Sequence, residues 1–222
     1  PQAVTETPGG TITFSDVDLA DAPASSIVGA SKVVTPTLAH GYQLTTAQHD
    51  ALVNAFTIDP ASFTSTGANA GTGTIGWHYN ISDSALQFLG KTDQVVLQFT
   101  VKVDDNSGGT DTQVVTITVQ GTEDAPHVTS TTQSGSITED LTPAGPEVTG
   151  GTITFSDVDL SDAPTSSIVV ASTVVTPTLA HGYQLTTAQQ NALVNAFTID
   201  PASFTSTGAN AGTGSIGWHY NI

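Results

Sequence analysis

The chain has no cysteine, no methionine and no arginine, and three lysines (Lys32, Lys91, Lys102) stand against 20 acidic residues. Each absence excludes something. Without cysteine there is no disulfide framework, no thiolate metal site and no thiol nucleophile. No apolar run approaches the length of a membrane span, and no basic-plus-apolar leader is present, so membrane insertion is not expected. A net charge of −17 repels nucleic acid. Serine and threonine are abundant, but no G-x-S-x-G or other nucleophile context occurs. The glycine-rich run Gly67–Gly73 lacks the strand–loop–helix setting of a phosphate site. The chain therefore reads as a non-enzyme. It starts at Pro1 rather than methionine, which suggests a fragment or a processed product.

What the chain has is acid, and the acid is clustered. Thirteen of the 20 acidic residues fall in five short groups, all in expected turns or loops. These are Asp16, Asp18 and Asp21; Asp104, Asp105 and Asp111; Glu123 and Asp124; Glu139 and Asp140; and Asp157, Asp159 and Asp162. Like charges held close together repel unless a counter-cation binds.

The chain also repeats itself. Residues 9–81 recur at 150–222 with an offset of 141 and seven differences: Ala20/Ser161, Ala24/Thr165, Gly29/Val170, Lys32/Thr173, His49/Gln190, Asp50/Asn191 and Thr74/Ser215. Copies this alike suggest a longer array made by duplication. Two domains are expected, 1–121 and 122–222. The first has no counterpart of Val128–Leu141 and so lacks its first strand. The second has no counterpart of 82–121 and so lacks its last strands.

Most segments read as β. Gly10–Ser15 alternates with period two, Ser26–Val34 is β-branched and ends before Pro36, and Thr74–Ile81 sends Ile75, Trp77, Tyr79 and Ile81 to one face. Gln94–Val103 and Thr112–Gln120 alternate strongly and form a hairpin across the acidic, glycine-bearing turn 104–111. A further strand is expected over Gly135–Asp140. Residues 1–8 suggest no element, Ile58–Thr74 a loop with a short strand near Ala61–Thr64, and Asp83–Leu89 a short turn or helix. Thr45–Phe56 has helical spacing, capped by Thr45 or Thr46, with Leu52 and Phe56 facing the sheet. The fold class is all-β: tandem antiparallel β-sandwiches of immunoglobulin-like topology, each with one short helix.

Tracking strand direction brings the acids together. In the first copy, the hairpin turn with Asp104, Asp105 and Asp111 should stand beside Asp16, Asp18 and Asp21. In the second, Glu123 and Asp124 of the linker GTEDAP should meet Asp157, Asp159 and Asp162. Glu139 and Asp140 should lie at the opposite end. A single D-x-D turn caps a loop and needs no metal. Several carboxylates with turn carbonyls, and no cysteine or histidine beside them, suit a hard cation with oxygen ligands, calcium rather than zinc. The histidines are scattered, with no H-x-x-x-H or His-plus-carboxylate spacing. Trp77, Tyr79, Trp218 and Tyr220 are more simply core than a sugar-stacking platform, and Tyr42 with His40 is the better surface candidate.

Trp77-His78-Tyr79, Ala85-Leu86-Gln87-Phe88-Leu89, the strand Val95–Val103, the DDNSGGTD turn, QVVTITVQGT and EDAP closely resemble VCBS-type cadherin-like repeats. Such repeats occur in very large bacterial surface adhesins of the RTX-like kind, exported by type I secretion. The typical linker there reads G-T-N-D-A-P, and Glu123 replaces the asparagine here. The resemblance implies cadherin-like sandwiches in which Asp157 and Asp159 match the D-x-D motif and Glu123 and Asp124 the linker acids. It implies a secreted or cell-surface protein, a calcium-rigidified extender or adhesive module in cell adhesion and biofilm formation. Its partners would be neighbouring repeats of the same polypeptide, with polysaccharide or a cell surface beyond them. The alternative is a calcium-dependent carbohydrate-binding module for exopolysaccharide.

Overall fold

The computed structural model describes residues 5–29, 33–139, 145–169 and 175–222. The chain divides into two compact units, Pro1–Glu123 and Asp124–Ile222. Both are β-rich, and each carries one nine-residue helix. Among the described residues no helix is long and apolar enough to cross a membrane.

The first unit runs β1 (Thr5–Glu6), β2 (Gly9–Ser15), β3 (Ala24–Ile27), β4 (Val33–Thr37), α1 (Thr46–Asn54), β5 (Phe56–Ile58), β6 (Ser62–Thr64), β7 (Thr72–Tyr79), β8 (Ile81–Ser82), β9 (Gln94–Asp104) and β10 (Thr110–Gln120). One sheet has the order β2-β7-β5, with β6 also on β7. The other has the order β10-β9-β3, with β4 also on β9, and β1 pairs with β8 alone. All pairings are antiparallel.

Alternation along β9 explains the core. Val95, Leu97, Phe99 and Val101 point inward and are at most 1% exposed, and Val115, Ile117 and Val119 of β10 do the same less completely. Each such side chain contributes about 1.5–3 kcal/mol by leaving water. The sheets meet where Phe56 of β5 stacks on Phe99 of β9, ring centres 4.1 Å apart and planes 5° from parallel. α1 adds Leu52 and Val53 to this core. Thr45 caps its N-terminus, accepting from the Gln48 N–H, while the Gln48 side chain accepts from the Thr45 N–H. The Tyr79 hydroxyl donates to the Leu52 carbonyl at 3.1 Å and so ties α1 to β7.

Several expectations for this unit change. Thr5–Glu6 is a strand, paired with Ile81–Ser82. Ser26–Val34 is not one strand: β3 and β4 both pair with β9, at different places along it. β4 passes through Pro36, which a strand with a single ladder partner tolerates because proline lacks only the N–H. The helix stops at Asn54, and Phe56 opens β5. Asp83–Leu89, expected as a short turn or helix, does hold a 3-10 helix at Asp83–Ala85. The hairpin register pairs Asp104 with Thr110, so Asp104 and Asp111 lie on strand ends and the turn is 105–109.

The second unit contains β11 (His127–Val128), β12 (Val148–Ser156), α2 (Thr187–Asn195), β13 (Phe197–Ile199), β14 (Ser203–Thr205) and β15 (Thr213–Asn221). They form one sheet, β11-β12-β15-β13 with β14 also on β15. The expected strand Gly135–Asp140 is not found. Residues 131–139 form no strand, and Asp140 lies outside the described residues. β11 pairs with the Phe155–Ser156 end of β12 instead, and Thr129 and Ser130 donate to the Thr154 carbonyl. Residues 165–168 and 175–178, the counterparts of β3 and β4, also form no strand. Their partner in the first unit, β9, has no counterpart among the described residues of the second.

Candidate metal centre

The first unit gathers three of its acids at one end. After β2 the chain turns through Asp16, whose N–H donates to the Gly71 carbonyl at 2.9 Å. Gly71 has φ +82°, and a Cβ there would strike the Asp16 carbonyl oxygen. Only glycine combines that conformation with so close an approach. The turn then closes on itself: Asp18 N–H donates to Asp16 Oδ1 at 2.9 Å, and Asp21 N–H to the Asp18 carbonyl at 3.0 Å. The β9–β10 turn docks against it. Ser107 Oγ donates to Asp21 Oδ1 at 3.1 Å, and Asn106 Nδ2 to the Ala22 carbonyl at 2.6 Å. Carboxylate oxygens of Asp16, Asp21 and Asp105 consequently lie within 4.8 Å of one another.

The remaining acids of this end are engaged differently. Asp104 pairs with Lys102 at 2.8 Å. That contact, with the Asn106 N–H, holds its carboxyl below the usual range. Asp111 accepts from the adjacent Thr112 N–H, and Asp18 is exposed. All three lie outside the three-carboxylate group.

The second unit builds the same turn and buries it. Asp157 N–H donates to the Gly212 carbonyl at 2.9 Å, and Gly212 has φ +82° against the Asp157 carbonyl, as Gly71 has against Asp16. Asp159 N–H donates to Asp157 Oδ1 at 3.1 Å, and Asp162 N–H to the Asp159 carbonyl at 3.0 Å. A new contact comes from Asp124, whose N–H donates to Asp159 Oδ2 at 2.8 Å. Asp159 is 0% exposed, Asp157 is also buried, and Asp159 and Asp162 bring carboxylate oxygens within 4.8 Å.

This arrangement is electrostatically incomplete. Asp159 Oδ1 is buried with no hydrogen-bond partner. Burial pushes the Asp159 carboxyl up to about 6, against the Asp124 N–H, which lowers it. The negative charges of Asp162, Asp124 and Asp157 push it further the same way. Leaving a buried acceptor unsatisfied costs about 1–3 kcal/mol, and more when it is charged. A cation relieves both the orphaned oxygen and the mutual repulsion. The grouped donor atoms are carboxylate oxygens, which fits calcium chemistry. Glu123 closes the first unit and is bonded directly to Asp124. Glu139 is exposed and in no strand, while Asp140 is among the residues not described.

Other candidates resolve into structure. Tyr42, read as a surface residue, is buried against Phe88, and its hydroxyl meets Gln48. Tyr79 is interior, with burial pushing its hydroxyl up to about 12, and Trp77 stacks on Phe56. Three features escaped the sequence reading. His78 meets Asp59 at 3.1 Å and His219 meets Asp200 at 3.0 Å, exposed pairs separated by 19 residues and joined only when β5 and β13 fold back. Buried Asp93 accepts from the Ala39 and Gly90 N–H groups and braces the entry to β9. The third is the clamp by Gly71 and Gly212, whose only signal was the repeated glycine in ANAGTG. No family model, no curated protein and no solved structure matches the chain.

Proposed function

We propose that the chain is a calcium-binding structural module, two cadherin-like repeats of the VCBS type from a large secreted bacterial surface adhesin. The supporting observation is Asp159: fully buried, with one oxygen orphaned and the other held by Asp124. Asp124, Asp157, Asp159 and Asp162 are the proposed ligands. Glu123, the linker acid expected from the sequence, directly precedes Asp124. In the first unit Asp16, Asp21 and Asp105 form a more exposed second site. The two facing sheets of the first unit are read as an immunoglobulin-like sandwich.

The proposed mechanism is electrostatic. Glu123 and Asp124 stand on either side of the boundary between the units. Without metal, their charges and those of the DVDLSD turn repel, and the linker samples many conformations. Calcium neutralises the carboxylates and restrains the linker, so that successive repeats form a stiffer rod. Such a rod would extend an adhesive tip in cell adhesion and biofilm formation, after type I export. Its immediate partners would be neighbouring repeats. The exopolysaccharide-binding reading has less support, because Trp77 and Tyr79 serve the core of the first unit.

Small-angle scattering in calcium and in chelator tests this reading. A calcium-dependent change in maximum dimension, abolished by Asp159→Asn, is expected. Identical curves in the two buffers would remove the stiffening role.

A further inference from the structure

Each copy of the repeat contains one Asp-Pro bond, Asp59–Pro60 and Asp200–Pro201, at equivalent positions. Such a bond is a chemical weak point. The aspartate holds a carboxylate close to its own carbonyl carbon, so attack is intramolecular and closes a cyclic anhydride. The proline nitrogen belongs to a tertiary amide and leaves as a secondary amine once protonated.

The fold surrounds this peptide group with the partners that such a cleavage needs. Asp59 follows β5, and its N–H donates to the Gly76 carbonyl of β7 at 2.9 Å. Its carboxylate lies across Gly76, where a Cβ would strike Oδ2. Oδ2 meets His78 Nε2 at 3.1 Å. From β3, Ser25 Oγ donates to the Asp59 carbonyl oxygen at 2.8 Å, the oxygen that gains negative charge when its carbon is attacked. The second unit repeats the set. Ser166 Oγ donates to the Asp200 carbonyl oxygen at 2.8 Å, Asp200 Oδ2 meets His219 Nε2 at 3.0 Å, and the carboxylate lies across Gly217. The histidine and aspartate side chains of both pairs are more than half exposed, so water reaches them.

We propose that Asp59–Pro60 and Asp200–Pro201 are self-cleaving bonds, opened in mild acid by attack of each aspartate's carboxylate on its own carbonyl carbon. In the protonated pair the His78 imidazolium faces Oδ2, and Oδ1 attacks. Ser25 steadies the charge on the carbonyl oxygen. The bond from that carbon to the Pro60 nitrogen breaks, and the nitrogen receives the imidazolium proton through water. A water molecule then opens the anhydride. Its oxygen goes to the new terminal carboxylate, and its two protons pass to His78 and the released amine. The net change is hydrolysis of one peptide bond by one water. Asp59 and His78 supply the titration; β2, β3 and β6 beside them bring no titratable side chain, nor do β12, β14 and 165–168 in the second unit. Histidine gains its charge between about pH 8 and pH 5, so cleavage is slow at neutral pH and faster in acid. It divides the first unit between β5 and β6 and the second between β13 and β14. The chemistry needs no calcium and does not rest on the metal reading.

The test holds the intact chain in chelator at about pH 5 and about pH 8 and follows it by mass spectrometry. Fragments ending at Asp59 and Asp200 are expected to accumulate faster at the lower pH, at a rate independent of protein concentration. His78→Gln and Ser25→Ala are each expected to slow cleavage after Asp59 at least roughly tenfold. The Asp200–Pro201 bond of the same molecule keeps its rate and serves as the reference; His219→Gln and Ser166→Ala reverse the pattern. A sample unfolded in urea at the same pH separates the fold's contribution from ordinary acid lability, and slower cleavage is expected there. No fragments at the lower pH, equal or faster cleavage in urea, or an unchanged rate in both His78→Gln and Ser25→Ala overturns the proposal. A rate that rises with protein concentration also overturns it, because the reaction is then between molecules.

Discussion

At the scale of the residue, Asp159 carries the argument. Its charge is buried, and its neighbours Asp124, Asp157 and Asp162 share its sign. Asp159→Asn therefore acts in opposite directions in the two states. In chelator near pH 7 the variant removes an unfavourable buried charge, keeps an oxygen for the Asp124 N–H, and is expected to melt higher than the parent. In calcium it lacks a proposed ligand and is expected to melt lower, with affinity reduced at least roughly tenfold. Thermal melts in both buffers check this, and the same sign of shift in both would contradict it.

The pH dependence follows with a definite sign. The folded value for Asp159, about 6, lies above the ordinary 3.8. A group raised on folding gives stability that is complete below the ordinary value and is lost as pH rises through the folded one. In chelator, the parent should lose stability relative to Asp159→Asn between about pH 4 and pH 6. Denaturant melts of both proteins across that window measure the difference, and a constant gap would contradict the buried charge. The D-x-D spacing was legible in the sequence because Asp turns are local. The raised Asp159 was not, since burial is a property of the surrounding chain: Asp18, in a near-identical turn, is exposed.

At the scale of the element, the two copies separate propensity from context. Ala24–Ile27 and Val33–Thr37 are strands, while 165–168 and 175–178, all but identical in sequence, are not. The ladder on β9 makes the difference, in keeping with the context dependence of β-propensity. Elements that carry their own pattern were readable: the alternation of β9 and β10, the threonine cap of α1, and β2. Gly135–Asp140 misled because it contains a single apolar residue, Ile137, and β11 takes the neighbouring edge of β12. The glycine clamp was unreadable because Gly212 contacts a turn 55 residues earlier in the chain. Gly212→Ala adds a Cβ at φ +82° against the Asp157 carbonyl. It should cost about 1–3 kcal/mol and weaken calcium binding although no ligand is altered. Calorimetry and melts on this variant check the clamp, and unchanged affinity would mean that the turn holds its shape without it.

At the scale of the whole molecule, a net charge of −17 is concentrated in turns rather than spread evenly. Monovalent salt screens such charge diffusely, over about 8–10 Å at ordinary ionic strength. The proposed calcium ion would do so locally and with stoichiometry. The chain divides between Glu123 and Asp124, inside the GTEDAP segment. Which acids share a site was legible only in part, because Asp104 turns to Lys102 and Asp111 to its own strand. The most direct test is calcium titration of the chelated, intact chain by calorimetry, repeated with Asp159→Asn. Saturable binding with defined stoichiometry, losing at least one equivalent in the variant, is the predicted result. No saturable heat up to roughly millimolar calcium, or the same isotherm for both proteins, would contradict it.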